Sequence, residues 1–200
     1  RVDFTVVKRG RDVLRVQRQA RVIPLADEHP EVVRDAATDR LLEVEMREIA
    51  PLLNEVVGEA TGFMNHRERP ESPLATWQAR AMLAAAPDAE IGIMNIHGVR
   101  QSLRPGPITR GAMLTVNPFN NTLVTLNLTG EELLRGARMS LQGNRPLQFG
   151  GVSLEVVGPY VARILHEGRQ LDPKRVYRVV TNNYVASQQE KYFGIPDSEA

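Results

Sequence analysis

The stretch TLVTLNLTGEELLRGARMSLQ, from Thr122 to Gln142, changes its periodicity without a linker. TLVTLNL alternates as a half-buried strand does. Thr129 then stands where a helix N-cap belongs, and Glu132 follows at the spacing of a capping box. ELLRGARMSLQ is therefore predicted to be a helix that stops near Gly143. A strand that feeds directly into a capped helix needs a sheet to lie in and a layer to pack against, so the fold must be built from both kinds of element.

The rest of the chain supplies them. LATWQARAMLAAA reads as a helix ended by Pro87, and EIGIMN as a short buried strand running into an IHGVR turn. HRERPESP and RPGPITRG read as loops. AMLTVNPF reads as a strand joined to TLVTLNL by NNT. GVSLEVV, YVARILHEG and RVYRVVTN are strand-like, with EGRQ and LDPK as turns, and YVASQQEKYFGI as a loop with a helical turn. Hairpins and crossovers both occur, and strands and helices do not alternate regularly. The expected class is α+β, a mixed β-sheet with packed helices, rather than a doubly wound sheet.

Upstream, residues 1–25 read as a hairpin around KRGRD. Pro30 and the acids of ADEHPEVV open a helix. From Val33 apolar residues recur at helical spacing through Ala37, Leu41, Val44, Ile49, Leu52, Leu53, Val56 and Ala60. Pro51 is expected to kink or split this helix, and residues 31–58 read as a long connecting arm.

Composition narrows the function classes. A net charge of +1 gives no general reason for a nucleic-acid or membrane-surface partner. No cysteine is present, which excludes disulfides and thiolate metal sites. The longest apolar runs fall short of a membrane span. The sequence opens on Arg1 with no signal-like apolar core, so it reads as a processed or partial chain. The four histidines (His29, His66, His97 and His166) are scattered, none with a partner at helical spacing, and no nucleophile elbow or phosphate loop is present.

Three positions stand out instead. Asn95 ends a buried strand beside a turn at Gly98, and Arg100 follows with a planar fork suited to a carboxylate or a phosphate. Phe119 and Tyr184 each follow a strand-like run and sit at its polar end. Two rings at strand ends can sandwich a flat ligand. The same residues also fit a plainer role: Asn95 satisfying its own turn, Arg100 as a solvated charge, the rings capping a core.

The ordered run NIHGVR, PGPIT and LTVNPFNNTLVTLNLTGEEL resembles the C-terminal domain of the 5′-nucleotidase / UDP-sugar hydrolase family. That family's pattern is Asn-x-Gly-Gly-[Ile/Val]-Arg, Gly-x-Ile-Thr, x-Pro-Phe-Gly-Asn and Leu-Thr-Gly. The resemblance extends to PESPLATWQARAM and to VVTNNYVASQQEKYF, and spans about residues 50–195. It implies a substrate-binding domain at 61–200, an interdomain helix at 29–60, and at 1–28 the tail of a preceding metallophosphatase-like domain.

Carried across residue by residue, the resemblance implies that Asn95 and Arg100 grip a nucleotide and that Phe119 and Tyr184 flank its base. Glu190 stands where an aspartate takes a ribose hydroxyl, and Arg67 or Arg69 stands in for a further arginine. Several positions depart from the pattern. Ile96 and His97 replace the usual glycine before Gly98, and Gln188, Gln189, Glu190 and Lys191 replace a glycine-rich loop. The resemblance further implies no cofactor in this chain, divalent metals in an N-terminal catalytic domain that is its partner, a nucleotide or nucleoside as ligand, no nucleic acid and no membrane span. A periplasmic or extracellular location and no turnover by this chain alone complete the expectation. The alternative is a diverged, non-catalytic ligand- or protein-interaction module.

Overall fold

The computed structural model describes residues 2–20, 35–66, 71–143 and 146–196. The chain divides into two units, Arg1–Ala50 and Pro51–Ala200.

In the first unit, β1 (Val2–Arg9) and β2 (Asp12–Ala20) form the expected antiparallel hairpin, with a bulge between Val7 and Lys8. Gly10 makes the turn at a φ of 61°, which a side chain would resist. α1 (Ala36–Leu53) starts behind Asp35, whose carboxylate accepts the Thr38 N–H at 2.8 Å. That bond holds the Asp35 carboxyl below the usual carboxylate value, because the charged form is the better acceptor. Pro51 does not split α1. It falls in the final turn, where few backbone bonds remain to lose, and the helix ends at Leu53.

The second unit opens on β3 (Val56–Ala60), residues expected to continue the helix. Val56 and Val57 are β-branched and Gly58 breaks the helical stripe, so the backbone turns to extended structure. α2 (Pro73–Ala85) has proline in its first turn, and the Ser72 hydroxyl accepts the Ala75 N–H at 3.2 Å. β4 (Ile91–Asn95) is buried throughout and passes into a single 3-10 turn at Ile96–Gly98. β5 (Gly106–Thr109) pairs antiparallel with β3.

AMLTVNPF, expected as a strand, contains most of α3 (Arg110–Val116). The Thr109 hydroxyl accepts the Ala112 N–H at 3.1 Å and starts this helix. A short apolar run fits either period, and here the cap decides it.

β6 (Leu123–Thr129) and α4 (Gly130–Gln142) form as expected. The Thr129 N–H donates to Glu132 Oε2 at 2.7 Å, and the Glu132 N–H donates to Thr129 Oγ1 at 3.2 Å. There follow β7 (Leu147–Gly150), β8 (Val152–Val157), β9 (Tyr160–His166), β10 (Arg169–Gln170) and β11 (Val176–Asn182). The last segment, expected as a loop with a helical turn, forms two short helices, α5 (Asn183–Ala186) and α6 (Gln189–Phe193).

The main sheet runs β6-β11-β4-β7. β11 is parallel to β4 and antiparallel to β6, and β4 is antiparallel to β7, so the sheet is mixed. A second sheet, β10-β9-β8, is antiparallel. Ile93 and Met94 are neighbours in β4 but belong to different buried clusters, since the strand faces core on both sides. α2 lies close against β4 and β7: a Cβ on Gly92 would fall 2.1 Å from the Ala79 carbonyl oxygen. On the other cluster, Gly136 of α4 admits the Phe193 ring. This burial holds the ends of β4, β6 and β11 together; Asn95 ends β4, Phe119 lies shortly before β6 and Tyr184 shortly after β11.

Candidate functional site

Asn95 is the last residue of β4, and its side chain is 4% exposed. Its Oδ1 accepts a 2.9 Å hydrogen bond from Asn182 Nδ2 at the end of β11. Asn182 Oδ1 in turn accepts the Val185 N–H at 2.8 Å and caps α5. A polar group buried at this depth needs such partners. Gly98 does not adopt positive φ; its role is space. A Cβ there would stand 2.7 Å from Met94 Cε and 3.0 Å from Asn95 Oδ1. Glycine thus lets the turn close over the asparagine without displacing either side chain.

The next link joins the two ring-bearing segments. The Asn183 N–H donates to the Thr122 carbonyl at 3.0 Å, and the Thr122 N–H donates to Asn183 Oδ1 at 3.1 Å. Phe119 lies just upstream of Thr122, and Tyr184 just after Asn183. The rings are 47% and 43% exposed, so neither is a core residue. The Arg100 N–H donates to the Val116 carbonyl at 2.7 Å, which ties the 3-10 turn to the end of α3. Its exposed guanidinium lies 5.9 Å from the centre of the Phe119 ring, at the outer reach of a cation–π contact.

Around Tyr184 the departures in sequence have a structural counterpart. Lys191 Nζ donates to the Tyr184 hydroxyl at 3.1 Å and to Gln188 Oε1 at 3.3 Å, and it lies 5.3 Å from the Tyr184 ring centre. Tyr192 meets Tyr184 edge to face at 6.4 Å. Glu190 is exposed on α6. Arg67 and Arg69 lie outside the described residues. Of the expected set, then, Arg100 and Phe119 lie at the edge of cation–π range, Asn95 is bonded to Asn182 at the end of β11, and the Asn183–Thr122 bonds tie the segment of Tyr184 to that of Phe119. Sequence reasoning missed Asn182. Its signal was the doubled asparagine in VVTNNYVA, a residue type that readily caps helices.

Between the ring-bearing segments and α2 lies a cavity of about 250 Å³. It is bounded by Trp77 and Gln78 of α2, Met94, Asn117, residues 121–123 and Asn182. Among the described residues no group of three or more His, Asp or Glu side chains could hold a metal ion. No helix of the described residues is long and apolar enough to cross a membrane.

The family described as "5'-nucleotidase, C-terminal domain" matches residues 56–195. Protein UshA of Yersinia enterocolitica is 36% identical over 115 residues, which is 54% of this chain and 21% of that protein. Endonuclease YhcR of Bacillus subtilis is 26% identical over 93% of this chain and 15% of its own length. Among solved structures, the 5'-nucleotidase precursor from Thermus thermophilus superposes with a TM-score of 0.73 at 28% identity, covering 96% of this chain and 41% of that one. The chain thus spans well under half the length of these relatives. The match over most of the chain, with the strand ends and loops just described inside it, makes this chain a member of the 5'-nucleotidase C-terminal domain family.

Proposed function

We propose that this chain is the nucleotide-recognition part of a 5'-nucleotidase-like phosphohydrolase, and that Phe119 and Tyr184 take a base between them while Asn95 and Arg100 serve the nucleotide beside it. The observation that carries the reading is the reciprocal hydrogen bonding of Thr122 and Asn183, which fastens together two segments that each present a half-exposed ring. Arg100 beside Phe119 adds a cation next to that ring, where an anionic phosphate finds a partner. Glu190, with Arg67 or Arg69, completes the proposed set. The catalytic dimetal centre belongs, in this reading, to a separate N-terminal metallophosphatase domain, of which residues 1–28 are the tail and 29–60 the link. A periplasmic or extracellular setting follows from the same family habit.

The test is ligand-dependent melting. AMP, adenosine or UDP-glucose raises the melting temperature of the 200-residue chain by mass action. Phe119→Ala and Tyr184→Ala each weaken binding by about 1–3 kcal/mol, roughly fivefold to 150-fold. Arg100→Ala weakens AMP more than adenosine.

One observation favours a second reading. Lys191 sits over Tyr184 and bonds its hydroxyl, so that ring already has a partner. If no nucleoside shifts the melting temperature, the chain is better read as a non-catalytic interaction module.

A further inference from the structure

The cavity beside the ring-bearing segments contains a feature that stacking leaves unexplained. Asn117 Nδ2 donates to Gln78 Oε1 at 3.2 Å. The other end of each amide, Gln78 Nε2 and Asn117 Oδ1, is buried with no hydrogen-bond partner among the described residues. Gln78 is 8% exposed. Leaving such a group unpaired forfeits its hydration with nothing in return. Both residues line the cavity, where their neighbours are largely apolar, Met94, Met113 and Trp77 among them. The same cavity is walled by residues 121–123 and Asn182, which adjoin the segments bearing Phe119 and Tyr184.

An unpaired donor and an unpaired acceptor on joined side chains match a flat group with an acceptor and a donor on one edge. The order of the two is not locked. If both amides rotate by half a turn, the bond between them survives with its direction reversed, now from Gln78 to Asn117. The free donor and free acceptor then exchange places. Resting on the stacking reading above, we propose that Gln78 and Asn117 read the hydrogen-bonding edge of the base held at Phe119 and Tyr184. The pair accepts amino-edged and keto-edged bases alike by turning together.

The experiment titrates the 200-residue chain with adenosine, inosine and unsubstituted purine riboside. Binding is followed by calorimetry and by emission from Trp77, the only tryptophan and itself a wall of the cavity. Adenosine and inosine, which carry opposite edges on one ring, bind within about fivefold of each other, and purine riboside, lacking the exocyclic group, binds roughly tenfold or more weakly. Trp77 emission changes with each. Asn117→Leu removes the acceptor that faces the exocyclic amino group and brings adenosine down to within about threefold of purine riboside, whose ring nitrogen still takes the Gln78 N–H; a melting temperature close to that of the parent chain shows that the variant folds.

Equal wild-type affinity for adenosine and purine riboside overturns the assignment without any variant. So does calorimetric binding that leaves Trp77 unchanged, or an adenosine preference that survives Asn117→Leu. A gap above about tenfold between adenosine and inosine overturns the joint rotation. Absence of binding by every nucleoside overturns the stacking reading and takes this assignment with it.

Discussion

At the scale of single residues, Gly98 shows how tightly the site is drawn. Its place is set by the room it leaves for Met94 and Asn95 rather than by a special backbone angle. Gly98→Ala must push aside Met94 Cε, a flexible chain end, and Asn95 Oδ1, which is held by Asn182. We expect a loss of about 1–3 kcal/mol in urea unfolding, with ligand affinity falling further because Asn95 is displaced. Asn95, Arg100, Phe119 and Tyr184 could be picked out in the sequence as candidates because polar and aromatic residues at strand ends are conspicuous there. Asn182 and Gln78 were not. Their roles depend on partners far along the chain, Asn95 at a separation of 87 residues and Asn117 at 39, and no local pattern encodes those pairings.

At the scale of elements, what was readable depended on whether a cap accompanied the periodicity. The Thr129–Glu132 box marked α4 in advance, and Thr129→Ala should cost about 1 kcal/mol in a thermal melt. α3 was misread because Thr109 caps it without a matching acid, leaving a short apolar run that suits either period. β3 was misread for a different reason. Val56 and Ala60 happen to fall at the spacing of the α1 stripe, which masked the strand signal of Val56, Val57 and Gly58, and pairing with β5 settles the segment as strand. α1 also carries a pH dependence with a definite sign. The Asp35 carboxyl is lowered in the fold chiefly by the Thr38 N–H, so its contribution is present above the unfolded pKa. It is lost as pH falls through the lower, folded value. Helicity of the α1 segment, followed by NMR shifts at Thr38, should decline over that acidic range, and Asp35→Ala should remove the transition.

At the scale of the whole chain, the two units differ in kind. The buried clusters belong to the second, whereas Val2, Phe4, Val6, Leu14 and Val16 of the hairpin and Leu41, Val44 and Ile49 of α1 are exposed. Residues 51–200 alone should therefore melt within a few degrees of the full chain and aggregate less, since apolar strands with open edges invite association. The full chain with added divalent metal should release no phosphate from AMP. Turnover that persists through purification and vanishes in Arg100→Ala would place chemistry in this unit and overturn the recognition role.

The reciprocal bonds of Thr122 and Asn183 also bear on kinetics. Two segments stitched in both directions resist parting like jaws, so under the proposed recognition role a guest is expected to slide in edgewise. Its arrival would then track solvent viscosity, with no slow opening step to wait for.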